Sequence, residues 1–178
     1  AKVLACHNHY TQRGGESSVF ENQVKGLREK GHEVITYVRD NTTIDAMSWD
    51  QKARLVVSAY HSQKTRRELT RLVAVEKPDV AIVQNVFPLL SPSVYTTLSA
   101  LRVPIIQATY NYRFVCPAGE LYSHGEICER CLGGNYLHCV VRRCYRNSAL
   151  QSAWYASITG FHRVPPHPLH DAANVAAA

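Results

Sequence analysis

The segment Asn8–Glu16, reading Asn-His-Tyr-Thr-Gln-Arg-Gly-Gly-Glu, places a paired glycine, a guanidinium and a carboxylate in one short run. It sits directly behind an apolar stretch (Val3, Leu4, Ala5, Cys6) and directly before a helical pattern, so strand, glycine loop and helix start are expected in that order. α/β proteins build anion sites this way: glycine lets backbone approach a ligand closely, and the first N–H groups of the helix face its negative charge. Tight turns use glycine for steric reasons alone, and the pair by itself does not separate the two readings. Gly14 and Gly15 are therefore candidate ligand contacts, with Arg13 beside them suited to clamping a phosphate bidentately. Glu16 fits two compatible roles, an acid favoured by the helix dipole or a ligand for a sugar hydroxyl. Asn85, Tyr110, Asn111 and Arg113 supply further donors behind later strands, while His7 and His9 read as hydrogen-bonded structural residues.

A second constellation is sulfur. Five of the six cysteines fall in the segment 116–144: Cys116, Cys128, Cys131, Cys139 and Cys144. The two-residue spacing of Cys128-Glu-Arg-Cys131 lets two thiolates reach one tetrahedral ion from a tight turn. A segment so poor in core-forming residues gains most from a metal, because ligation substitutes for missing apolar burial. The expected set is Cys116, Cys128, Cys131 and Cys144 around a structural zinc, with Cys139 as the spare and His124 and His138 as chemically competent substitutes. An iron–sulfur cluster uses four thiolates as well and stays open as an alternative. Cys6, inside the first apolar run, reads as plain core.

The elements that must position these groups follow from periodicity. Strands are expected at Val3–Cys6, Glu33–Val38, Val80–Val83 and Val103–Ala108, and helices at Glu16–Lys30 (stopped by Gly31), Trp49–Tyr60, Gln63–Glu76, Ser93–Leu101 and Asn147–Phe161. Asp40–Asp50 and Val86–Pro92 read as loops. Apolar strands alternating with helices define an α/β fold, a Rossmann-like parallel sheet with helices on both faces, plus a cysteine-rich loop segment. One domain over 1–163 and an irregular tail over 164–178 are expected. In such sheets ligands bind at the carboxyl ends of the strands, so Asn8–Glu16, Gln84–Ser91 and Thr109–Arg113 are expected to converge on one rim.

Composition narrows the function classes. With 178 residues, 46% of them hydrophobic, the chain can bury a sizeable core, and Lys+Arg 20 against Asp+Glu 14 leaves a formal charge of +6. That charge reads as a solvated basic surface or as attraction to phosphates on a sugar nucleotide, a lipid headgroup or nucleic acid. The basic residues are spread in small groups, Lys64–Arg67 and Arg142, Arg143 and Arg146, which fits local anion patches better than a nucleic-acid tail. No Ser-His-Asp pattern, close carboxylate pair or Walker loop occurs, so hydrolase and phosphoryl-transfer chemistry gain little support. No secretory signal opens the chain and no apolar stretch approaches about 20 residues, which points to a reducing cytosol.

Several segments together resemble glycosyltransferase family 4. They are Lys2-Val-Leu…His7-Asn-His-Tyr…Arg13-Gly-Gly-Glu16, Gly31-His-Glu-Val34, Asn85-Val-Phe-Pro-Leu-Leu-Ser-Pro92, Val103-Pro104, Asn111-Tyr-Arg-Phe-Val-Cys-Pro117, Cys128-Glu-Arg-Cys131 and Cys144-Tyr-Arg-Asn-Ser148. The resemblance runs from residue 2 to about 163. It implies the amino-terminal, acceptor-side half of a GT-B enzyme that uses a sugar nucleotide to glycosylate an acceptor with retained anomeric configuration. In the family the glycine loop approaches the donor diphosphate, which maps onto Gly14 and Gly15. No catalytic metal is expected, and the acceptor would be a glycan or a lipid-linked sugar, met in the cytoplasm with peripheral contact at the inner face of the membrane. Two departures stand out. The carboxyl-terminal half that holds most donor contacts is missing from this sequence, so the chain is expected to be inactive alone and its standing as an enzyme is open. Tyr110 also occupies the place where the family commonly has a histidine near the reacting sugar, and tyrosine is not cationic at neutral pH. The alternatives are a zinc-containing basic module that binds nucleic acid or a protein partner, with nucleic acid the less expected, and a non-catalytic remnant.

Overall fold

A computed structural model describes residues 1–11, 14–163 and 175–177. Along the chain these form β1 (Lys2–His9), α1 (Gly15–Glu29), β2 (Glu33–Asp40), α2 (Thr42–Asp45), α3 (Trp49–Ser58), α4 (Gln63–Glu76) and β3 (Val80–Val83). There follow α5 (Ser93–Ala100), β4 (Ile105–Gln107), the short strands β5 (Tyr122–Ser123) and β6 (Glu126–Ile127), α6 (Leu137–Val141), α7 (Ala149–Arg163) and β7 (Val175–Ala177). Two compact units result, one from residues 1–109 with 171–178 and the other from residues 110–170, where the sequence led us to expect one domain over 1–163.

The first unit is α/β, a parallel sheet flanked by helices, with strand order β2-β1-β3-β4-β7. Residues 3–9 of β1 are all buried. Because successive side chains point to opposite faces, an unbroken buried run means that both faces of this strand are covered. Val3, Ala5, Phe20, Val24, Val34, Ile82 and Ala108 pack as one core cluster. From α1 the core takes Phe20 and Val24, whereas Val19 is 37% exposed. The helix stops where Gly31 adopts φ +81°, a left-handed conformation that costs glycine nothing. α4 begins at Ser62, whose hydroxyl accepts the Thr65 N–H at 3.1 Å, and ends at Lys77 just before Pro78. Cys6 is core, fully buried, and burial pushes its thiol up to about 12. Among the described residues no helix is long and apolar enough to cross a membrane.

Two expectations need adjustment. β1 runs past Cys6 to His9, because His7, Asn8 and His9 continue its ladder opposite Val38, Arg39 and Asp40. The loop proper therefore starts later than the sequence suggests. Of the tail, expected to be irregular, Val175–Ala177 adds a parallel strand beside Ile105–Gln107, and residues 164–174 and 178 lie outside the described part.

The second unit, taken by itself, holds the antiparallel β5–β6 pair and the α6–α7 pair. Its core cluster is small: Cys131, Tyr136, Cys139 and Ala156, with Val140 and Cys144 packed against it. Between these elements the backbone is mostly turns, and Leu121, His124, Arg143, Arg146 and Asn147 all take φ between 50° and 54°. Non-glycine residues adopt that region at a cost of about 1 kcal/mol or more each, so this unit carries local strain on little apolar burial.

Candidate functional site

The strand order of the first unit has a switch point. The connection through α1 carries the chain from β1 to β2 on one side, and the later connection brings β3 to the other side of β1. Ligands of open parallel sheets bind in the crevice outside the carboxyl ends of the two strands that part there, here β1 and β3. Residues 10–11 and the segment Gln84–Ser91 both leave the sheet at that end.

A lattice of amides builds this rim. The Asn8 N–H donates to the Asn85 carbonyl at 2.8 Å, and Asn85 Nδ2 donates back to the Asn8 carbonyl at 2.6 Å. Asn85 Oδ1 accepts the Phe87 N–H, Asn8 Oδ1 accepts the Leu89 N–H, and Asn8 Nδ2 donates to Asn41 Oδ1 at 2.8 Å. The Asn41 N–H in turn donates to the His9 carbonyl at 3.0 Å. Two chain segments, at Asn41 and at residues 85–89, are thus fastened to the end of β1 by buried polar side chains. Asn85, expected to meet substrate, directs its amide at the chain itself.

Below the rim, His9 Nδ1 lies 2.8 Å from Ser17 Oγ in the first turn of α1, and both residues are buried. His7 stacks on Phe20 with ring centroids 4.7 Å apart and meets His9 edge-on at 4.5 Å. Among the described residues neither ring nitrogen of His7 has a hydrogen-bond partner, and neither does Gln84 Oε1. Desolvation, reinforced by the His9 charge, lowers the His7 pKa to about 4, so the ring is neutral at physiological pH. His7, in β1, and Gln84, one residue past the end of β3, directly follow the paired residues Cys6 and Val83. Sequence reasoning passed over Gln84. Its signal was positional, a polar residue one step beyond a four-residue apolar strand.

Gly14 and Gly15 are exposed, Gly14 has ordinary extended backbone (φ −112°, ψ −169°), and an added Cβ at either would meet nothing within 4 Å among the described residues. Neither conformation nor internal packing requires glycine at these places. Glu16 follows in the first turn of α1, half-buried. Arg13 lies outside the described residues.

The remaining expected contacts belong to the second unit. Tyr110 is 47% exposed. Asn111 Oδ1 accepts the Arg113 N–H at 3.0 Å and so shapes its own turn. Arg113 is buried rather than free on a rim: Nη1 donates to the Pro117 carbonyl at 3.1 Å, and the guanidinium lies over the rings of Tyr155 (4.8 Å) and Tyr145 (5.5 Å). Gly119, at φ +88°, comes so close that an added Cβ would stand 3.3 Å from Arg113 Nη2. Two other arginines of this unit are engaged as well, Arg142 with Glu126 at 2.9 Å and Arg146 over Tyr145 at 5.6 Å.

All six cysteines are free thiols. Burial raises the Cys131 thiol, as do the charges of Cys116, Cys128 and Cys144, while an N–H from Cys139 acts the other way. Burial, with Cys144 and Cys131 next in weight, pushes Cys139 up to about 12. Of the five thiols of this unit, Cys116, Cys131 and Cys139 are buried and Cys128 and Cys144 half-buried. Cys139, expected to be a bystander, is the most buried of them. His124, the expected substitute ligand, pairs its Nε2 with the Arg142 carbonyl at 2.8 Å. Among the described residues, no three histidine, cysteine, aspartate or glutamate side chains are arranged so as to hold an ion.

Comparisons with protein-family models, with curated proteins and with solved structures found no match to this chain.

Proposed function

We propose that this chain is the acceptor-side, Rossmann-like domain of a sugar-nucleotide glycosyltransferase of the family 4 type, with the cysteine-rich segment inserted as a structural appendage. One observation carries the reading. A pair of exposed glycines that the fold itself does not need opens the first helix beside the switch point of a parallel sheet. Backbone there can come within hydrogen-bond distance of a diphosphate, and the helix dipole favours its charge. In this role the N–H groups of the Gly14–Gly15 turn stabilise the departing diphosphate, and Glu16 orients a sugar hydroxyl. The resemblance of the sequence motifs supplies the substrate class, and the buried amide lattice supplies a rigid base for the loop.

The test is titration with nucleoside diphosphate sugars, read by calorimetry or by amide shifts, against a Gly15→Trp variant. The chain alone should bind weakly, with Kd on the order of millimolar, because a glycine loop meets only one side of a diphosphate. Gly15→Trp should abolish binding with an unchanged unfolding midpoint. Binding that is equal in the two proteins would overturn the reading. Sugar transfer should appear only when a family 4 carboxyl-terminal half is supplied.

A further inference from the structure

We propose that the outer face of α3, with the basic outer face of α4 after it, docks on an anionic lipid surface: Trp49 and Val57 enter the interface and the cations of α4 meet the headgroups. Neither Gly14 nor Gly15 takes part, so this surface and the glycine turn stand or fall separately.

The first observation is that α3 carries its apolar row on the wrong side. A surface helix ordinarily turns its apolar stripe to the core. Here the inner side buries one residue, Leu55, while Trp49, Ala53 and Val57, spaced at i, i+4 and i+8, form an exposed row. Trp49 is 90% exposed and Val57 71%. Single exposed apolar side chains are ordinary, but a row of them headed by an indole marks a contact surface. The row is held ready, because the Gln51 side chain accepts the Ser48 N–H at 2.9 Å and closes the first turn. An indole favours the boundary between headgroups and acyl chains, where its ring is in apolar surroundings and its N–H stays wet.

The second observation is charge. α4 follows α3 after four residues and exposes Lys64, Arg66, Arg67 and Arg71. Its two acids serve the strands instead, Glu68 pairing with Arg39 and Glu76 with Lys2. On α3 the one acid, Asp50, is matched by Arg54 at 3.2 Å. Among the described residues none of the four exposed cations of α4 forms an ion pair. Residues 49–77 hold seven basic side chains and three acidic ones, a net +4 of the chain's +6. A nucleic acid would engage the cations and leave the apolar row wet. Pairing of two copies through this face would set cations against cations. An anionic lipid interface uses row and charge together.

The experiment mixes the full chain with vesicles of phosphatidylcholine alone, and with vesicles in which about a third of the lipid is phosphatidylglycerol, and reads co-sedimentation and tryptophan emission. Binding to the anionic vesicles should exceed binding to the neutral ones at least about tenfold and fall as salt is raised. Emission should shift to the blue on binding. Trp49→Ala should remove that shift and weaken partition about tenfold. Arg67→Gln combined with Arg71→Gln should weaken partition about twentyfold, at about fivefold for each cation, and keep the blue shift of whatever remains bound. All three side chains are exposed, so unfolding midpoints should not move. Should Trp49→Ala prove unstable, Val57→Asn decides in its place and should also weaken partition. Equal binding to the two kinds of vesicle, binding to neither, a bound state without a blue shift, or partition unchanged in Trp49→Ala or its substitute would each overturn the proposal. So would a dimer in free solution that Trp49→Ala dissociates, which would give the face to a second copy.

Discussion

Asn8, Asn41 and Asn85 answer one another's hydrogen-bonding groups at the end of the sheet, whereas the thiols of the second unit have chiefly one another for company. Both regions are polar and substantially buried, yet they stand on different foundations. The amide lattice rests on a large apolar core and a five-stranded ladder. The thiol cluster rests on four buried residues and a strained backbone. The amides of Asn8, Asn41 and Asn85 therefore act as internal fasteners. The residues that look most functional by type, Asn85 and Arg113, are fasteners, and the glycines, with no side chain at all, face solvent.

Substitution can break this contrast at its strongest point. Asn8→Leu leaves the buried Asn41 Oδ1 and the part-buried Leu89 N–H without their partner, and should lower the unfolding free energy by about 3 kcal/mol in urea titration. A loss under about 1 kcal/mol would mean that the lattice is ornamental.

The next effect is one of pH. His7 has a folded pKa near 4 against 6.5 for an ordinary histidine, so the unfolded chain binds more protons between those values. The contribution of neutral His7 is complete above pH 6.5, declines as pH falls, and is gone below pH 4; it is worth at most about 3 kcal/mol. His7→Phe keeps the stack on Phe20 and should flatten stability across that window, as followed by denaturant midpoints at several pH values. An unchanged pH slope would show that the burial of His7 carries no electrostatic cost.

The smallest effect sharpens the contrast from the other side. Arg113→Lys loses a planar stack on two tyrosines, which should cost about 1–2 kcal/mol and disturb the tyrosine near-ultraviolet signal. Binding of a nucleoside diphosphate should stay within about twofold, unlike the result expected if Arg113 were a phosphate clamp.

Much of the fold was legible. Gln63–Glu76 and Val80–Val83 form with the bounds that periodicity assigns them, because one is closed by a serine cap and a proline and the other is a short run of branched apolar residues. The end of β1 was not legible, since His7, Asn8 and His9 are polar by type and are strand only because β2 pairs with them. The site was harder to read. Glycines after a strand were visible as a pattern, but the use of Asn85 depends on the carbonyl of Asn8, and that of Arg113 on rings more than thirty residues away in sequence. Residue type advertises donors, and only packing decides whom they serve.

One further consequence follows from the position of β1 between β2 and β3. Val3 pairs with Val34 on one side and with Val80 on the other. On a translating ribosome the first partner arrives early, but the second emerges several seconds later at roughly 5–20 residues per second. For that interval the edge Val-Leu-Ala-Cys hangs open beside nascent chain, apolar and unbonded, the kind of surface that recruits other strands. The segment that ends up most deeply enclosed is thus the one most in need of a chaperone while the chain is being made.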